Sequence, residues 1–212
     1  TAGGVTVEAD DTNSISATLV AASVGVAGSG GASISLAIAA TVTTNELTGT
    51  TLATIQGSDV DAAGQITVDA RNENTIDATA VAAAISVAGG YVGIAGAGAG
   101  AKSVSSMSNT VEASIIDSPD VDADTGVTIH AEDASTITNA TAAAALAVGV
   151  GAGGGAVSVA VTLVEVNYDT AVKAHIGGSD VRTTGGDVTL TALASGTIDV
   201  EGYGIGVAVS GG

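Results

Sequence analysis

Gly4-Val5-Thr6-Val7-Glu8-Ala9 returns as Gln65-Ile66-Thr67-Val68-Asp69-Ala70, as Gly126-Val127-Thr128-Ile129-His130-Ala131 and as Asp187-Val188-Thr189-Leu190-Thr191-Ala192. Each return falls 61 residues after the one before (66−5, 127−66, 188−127), and Ile15, Ile76, Ile137 and Ile198 keep the same step. Columns that hold one period without slipping mark a repeat architecture, in which units bury their apolar faces against their neighbours. Within each copy apolar and polar residues alternate. That pattern puts Val, Val and Ala on one face and Thr, Glu, Asp or His on the other, as in a half-buried strand.

Outward from this strand comes a polar, acidic bend: Asp10-Asp11-Thr12-Asn13, Arg71-Asn72-Glu73-Asn74, Glu132-Asp133-Ala134-Ser135. A long run of small residues follows, such as Ile15 to Ala27, then Gly28-Ser29-Gly30-Gly31 and a second run from Ala32 to Thr44. Each unit closes on Ala53-Thr54-Ile55, Ala113-Ser114-Ile115 or Ala174-His175-Ile176. The repeats therefore run 4–64, 65–125 and 126–186, with a partial 187–212, inside one continuous segment 1–212. A unit of this size makes either two coils of about thirty residues or one wide coil of about sixty. Because Gly185 to Gly212 reads as a self-contained coil, two coils per unit are expected. At about 4.8 Å per coil, that division gives about seven coils and a rod segment of about 33 Å.

The composition supports an all-β solenoid (β-helix). The chain has 212 residues, 46% of them apolar, yet it has no Phe or Trp, three Tyr and 31 Gly. Ala, Val, Ile, Ser and Thr must fill the core, which suits closely stacked sheets, and the β-branched residues favour extended backbone. A single Pro leaves long ladders uninterrupted. The glycine clusters suit tight corners.

Charge excludes some functions. With 22 acidic residues against four basic ones the net charge is −18, so a nucleic-acid partner, which needs a basic surface, is not expected. No cysteine is present for disulfides or thiol chemistry. No charged residue lies between Asp11 and Glu46 or between Asp133 and Glu165. These runs are long enough for a membrane helix, but they are broken by glycines and lack flanking Lys or Arg. An outer-membrane barrel would need aromatic girdles that three Tyr cannot supply. No membrane insertion is expected.

Among local motifs, Asp120-Val121-Asp122-Ala123-Asp124-Thr125-Gly126 is the sharpest. Alternating carboxylates before a glycine resemble the start of a calcium loop, because a hard cation takes several converging oxygens. Asp120, Asp122 and Asp124 are the candidate ligands for Ca2+. The spacing departs from an EF-hand, with the glycine one place late and Ala131 at the twelfth position, so an acidic corner facing water is the alternative. Equivalent segments lose carboxylates, at Asp59-Val60-Asp61-Ala62 and Asp180-Val181-Arg182-Thr183. The glycine runs at 93–98 and 149–155 lack the Lys-Ser/Thr of a phosphate loop. His130 and His175 occupy different columns and read as solvent-facing strand residues. No set of residues is singled out for catalysis, and an enzyme is not expected.

The phrases Gly-Val-Thr-Val-x-Ala (4–9), Val-Gly-Val-Ala-Gly-Ser-Gly-Gly-Ala (24–32), Val-Glu-Ala-Ser-Ile (111–115) and Val-Lys-Ala-His-Ile (172–176) resemble the repeats of very large bacterial surface proteins. Those are the filamentous haemagglutinin-like and giant repetitive adhesin proteins. The resemblance covers the whole chain. It implies a secreted or surface-anchored bacterial β-solenoid working in adhesion, filament formation or a biofilm matrix, and it carries over no catalytic residue. The chain opens and closes inside a repeat, as a stretch of a longer repetitive protein would. The expected role is a stiff rod that continues, or polymerises head-to-tail with copies of itself through exposed strand edges. The alternative is an extracellular binding module whose acidic face recognises a glycan, a receptor on a host or matrix surface, or calcium.

Overall fold

A computed structural model describes residues 3–212, so the first two residues of the segment lie outside it. The first coil is β1 (Val5–Asp11), β2 (Ser14–Gly28), β3 (Ala32–Gln56) and β4 (Val60–Ala62). The second repeats it as β5 (Gln65–Asn72), β6 (Thr75–Gly89), β7 (Val92–Ile116) and β8 (Val121–Ala123). The third is β9 (Gly126–Asp133), β10 (Thr136–Val150), β11 (Gly155–Gly177) and β12 (Val181–Thr183). β13 (Val188–Ala194) and β14 (Thr197–Gly211) begin a fourth. Four parallel sheets result, in the orders β1-β5-β9-β13, β14-β10-β6-β2, β11-β7-β3 and β12-β8-β4. The described residues contain no helix, and the chain is an all-β solenoid.

Strand register corrects the expected coil. Val5 pairs with Ile66, Val24 with Ile85 and Ile94 with Gly155, each 61 residues apart, while Ala32 pairs with Val92, 60 apart. One unit is therefore one wide coil and not two narrow ones. The glycines at 28–31 do not divide two coils. They turn β2 back over itself into β3, whose interior side chains face those of β2. Ser86 Oγ donates to Ser35 Oγ at 2.9 Å and Ser105 Oγ to Asn139 Oδ1 at 2.9 Å, bonds that tie the two long sheets together. A 25-residue strand spans about 80 Å and three and a half coils rise about 17 Å. The molecule is a flat slab, not a slender rod segment of seven coils.

The ladder continues through the corners. At the acidic bend Glu73 N donates to Asp11 O (2.9 Å) and Ala134 N to Asn72 O (2.8 Å). Beyond the long strands, Gly57 and Gly178 have φ of 58° and 62°, and between them in the stack Asp117 takes φ 50°. At the opposite, glycine-turn end the backbones close up so tightly that a Cβ on Gly93 would lie 2.6 Å from Val150 O.

The slab has two kinds of interior. At the bend side, Ile66, Val68, Val111, Ile115, Val127 and Ile129 are fully buried among alanines. Toward the glycine turn the interior is built of small residues, alanines such as Ala37, Ala80, Ala97 and Ala145 among serines and threonines such as Ser35, Thr41 and Ser86. There the larger apolar side chains point outward: Val24 and Val26 from one face, Ile34, Leu36 and Ile38 from the other.

Candidate functional site

Three features of the stack carry chemistry or recognition: its open edges, its charged end, and a polar ladder inside the bend. The edges follow from the topology. On one side β1, β2, β3 and β4 are the last strands of their sheets, and on the other β13, β14, β11 and β12 are. Each leaves one row of main-chain N–H and C=O groups unpaired, which is a template for a further parallel strand. The second edge is stepped, because β13 and β14 stand one strand above β11 and β12. The inner face of this half coil is uncovered, with Val188, Leu190, Ile198 and Val200 each more than 40% exposed. A strand of the β3 kind would both pair with β11 and cover that surface. A whole coil laid flat on β13 and β14 would leave a one-strand gap above β11.

Asp120, Asp122 and Asp124 lie on and beside β8, an extended strand. Alternate residues of a strand share a face and sit about 6.6 Å apart along it. Arg182, stacked on Asp122 in the next coil, reaches back to Asp120 Oδ1 at 2.9 Å and lies 3.9 Å from Asp122 Oδ1. It also bonds Asp180. Asp124 Oδ1 accepts from Thr184 Oγ1 at 3.1 Å. Among the described residues no group of three or more His, Asp or Glu is arranged to hold a metal ion.

The rest of this end is charged on its outer surface. Asp69 bonds Arg71 (2.8 Å) and lies 3.4 Å from His130 Nδ1 in the adjacent coil. His175 Nε2 is 4.0 Å from Glu112. Both histidines point outward, as expected, within reach of carboxylates. Asp10, Asp11, Thr12, Arg71 and Glu73 line a shallow hollow on the bend.

The polar ladder runs inward from that bend. Asp11, Asn72 and Asp133 stack in one column. Asp133 is completely buried, yet its carboxylate is amply satisfied. It accepts from Asn72 Nδ2 (2.9 Å), Ser135 Oγ (2.7 Å), Thr170 Oγ1 (3.0 Å) and the Tyr168 hydroxyl. In the coil below, Asn74 Nδ2 donates to Asp11 Oδ2 at 3.2 Å. The Tyr168 phenol is pushed well above the ordinary tyrosine range, first by burial, then by its hydrogen bond to Asp133 and that residue's charge. In the third coil the Tyr168 and Thr170 bonds to Asp133 tie the end of β9 to β11. The signal that would have found the ladder is the recurrence of an Asp or Asn at 11, 72 and 133, since a polar residue held in register by a repeat is stacked on its own kind.

No family model matches the chain, and no curated protein or solved structure is significantly similar to it.

Proposed function

We propose that this chain is a structural segment of an extracellular bacterial fibre or surface adhesin, and that its work is mechanical. The observation that carries the reading is the pair of open edges on a stack whose strands, bends and corners all repeat in register. Every added coil gains main-chain bonds along some fifty strand residues at once, so growth along the stack is cooperative and the product is stiff. An acidic coat with four Lys and Arg in all keeps such a surface soluble and offers few tryptic sites. The resemblance to giant adhesin repeats supports the same surface location.

Electron microscopy of the purified chain across concentration, with and without millimolar calcium, tests this. A synthetic peptide of residues 32–62 supplies strands of the β3 and β4 kind. The expected result is that the peptide binds at the stepped edge and that particles then lengthen along the stack. Unassociated slabs under every condition, with no peptide bound, would overturn the reading.

A further inference from the structure

The third coil shows what an inward carboxylate at the bend requires, and the first coil lacks it. Asp133 takes hydroxyl protons from Ser135, Tyr168 and Thr170 and an amide proton from Asn72. Its counterpart two coils away is Asp11. There the Tyr168 column ends in Leu47 and the Thr170 column in Gly49, so neither hydroxyl has an equivalent. Among the described residues the donors to the Asp11 carboxylate are two amides, Asn13 Nδ2 at 2.5 Å and Asn74 Nδ2 at 3.2 Å.

Between these two levels lie Asn72 and Asn109, 1% and 3% exposed. Both turn Nδ2 toward the third coil, where Asn72 donates to Asp133 Oδ1 at 2.9 Å and Asn109 to Ser135 Oγ at 3.2 Å. An ionised carboxylate only accepts, so Asn72 cannot present its oxygen there instead. The two Oδ1 atoms are therefore turned toward the first coil, and neither accepts a hydrogen bond. What stands on that side is Asp11, another acceptor. A Cβ on Gly49 would lie 3.0 Å from Asp11 Oδ2 and 3.5 Å from Asn109 Oδ1, so these two oxygens border one space beside Gly49. Asn74 Nδ2, 3.6 Å from the same point, donates to Asp11 and to neither amide oxygen. Buried acceptors without a proton donor are costly, and here they face a carboxylate.

We propose that the first and second coils bind a calcium ion beside Gly49, on the Asp11 carboxylate, Asn72 Oδ1 and Asn109 Oδ1. A cation satisfies oxygens that no proton donor reaches. Calcium takes amide carbonyl and carboxylate oxygens together, in irregular arrangements at about 2.3–2.6 Å. Magnesium fits less well, because it demands a near-ideal octahedron and gives up its water reluctantly. The hollow on the bend opens on Asp11 and gives the ion its path and its remaining water ligands, with Asp10 and Glu73 at the rim. Arg71, also on that rim, is held by Asp69 at 2.8 Å.

This site is separate from the aspartates on and beside β8, and it is built differently, from one carboxylate and two buried amides. With a single ligand charge, its dissociation constant falls in the weak range of about 10⁻⁴–10⁻³ M. The ion joins the first coil, whose strands form an open edge, to the second, so calcium stabilises the folded chain by mass action. The inference does not rest on the fibre reading, since a chain that never polymerises carries the same three oxygens.

Calorimetric titration of the whole chain with calcium chloride at constant ionic strength tests it, beside urea unfolding with calcium, with magnesium and with chelator. A saturable calcium site is expected, and an unfolding midpoint raised by calcium more than by magnesium. Two variants locate the site. Asp11→Asn removes the charge and puts an amide donor next to Asn72. Gly49→Thr supplies the hydroxyl that Thr170 supplies in the third coil, and its Cβ presses on the movable end of Asp11. Each should weaken calcium binding at least about tenfold and remove the calcium-dependent shift. Each should also unfold in chelator at a midpoint no lower than the wild type, so the loss is not a loss of fold. Asp122→Asn should leave binding and shift unchanged. A flat titration of the wild type, the result if water alone bridges these oxygens, would overturn the proposal. So would calcium binding that survives both variants, or a midpoint shift that magnesium reproduces in full.

Discussion

The two halves of the slab use one strand pattern in opposite senses. β3 runs through both without a break, and its odd-numbered residues face inward along its whole length. At the bend half the inward set includes Leu47, Ala53 and Ile55, and the outward set is mostly threonine. At the glycine-turn half the inward set is Ser33, Ser35, Ala37, Ala39, Thr41 and Thr43, and the outward set is Ile34, Leu36, Ile38 and Val42. The large apolar side chains change face midway along one strand. Burial inside this coil is thus governed by the room between the sheets, not by hydrophobicity alone. Toward the sharp turn at the glycines the inward positions hold alanine, serine and threonine, and the large residues stand outside.

That contrast can be broken by substitution. The largest effect is expected from shortening the same residue type in the two halves. Ile129→Ala, fully buried at the bend half, should cost about 4 kcal/mol in urea unfolding. Ile38→Ala, outside the alanine half, should fall within about 0.5 kcal/mol for dilute, unassociated protein. Equal losses would show that the halves do not differ. The converse change enlarges the alanine interior. Ala97→Leu is expected to cost about 2–3 kcal/mol by forcing the sheets apart, and a neutral result would mean that the space there is not limiting.

The polar ladder at the border between the halves comes next. Asp133→Ala leaves Asn72, Ser135, Tyr168 and Thr170 without their shared acceptor, a loss of about 2 kcal/mol by the same assay. It should also change the pH response. The folded Tyr168 holds its proton to higher pH than an unfolded tyrosine does. This contribution to stability is thus complete below the unfolded phenol pKa of about 10 and is lost as pH rises toward the folded value. Alkaline unfolding of the wild type should track Tyr168 ionisation by ultraviolet absorbance. In Asp133→Ala the tyrosine should ionise at lower pH. The smallest effect is at the corner. Asp117 takes a left-handed φ where its stacked neighbours are Gly57 and Gly178, so Asp117→Gly should stabilise the chain by about 1 kcal/mol. A loss of stability would mean that the side chain, not the backbone, decides that corner.

These same residues show how much of the molecule was legible in advance. The columns through Val5, Val7 and Ile15 gave the period, the parallel stacking and the solenoid class, because a repeat that pairs with itself in register keeps its core residues in line. Coil width was not legible. In the run Ala32 to Thr44 the large apolar residues alternate with small or polar ones, so alternation alone would put Ile34, Leu36 and Ile38 inside, where the structure puts Ser33, Ser35 and Ala37, and the glycines at 28–31 read equally well as a boundary or as a fold-back. Asp133 escaped for a related reason: within one unit an acidic bend looks solvated, and only the facing Tyr168 and Thr170, more than thirty residues away, make it buried. At Asp120, Asp122 and Asp124 the sequence shows the residue types but not their setting, an extended strand beside which Arg182 of the next coil reaches two of the three carboxylates.

The account rests on each 61-residue unit being a single flat coil bonded to its neighbours through the main chain. Nitroxide pairs test this most directly. Labels at Val24 and Ile85, paired neighbours in β2 and β6, should sit about 5 Å apart at the backbone and give strong dipolar broadening. Labels at Val24 and Thr54, about 60 Å apart in the wide coil, should give none. Broadening for the pair 24 and 54 but not for 24 and 85 would mean that the chain winds in coils of half this size, and would contradict the structure described.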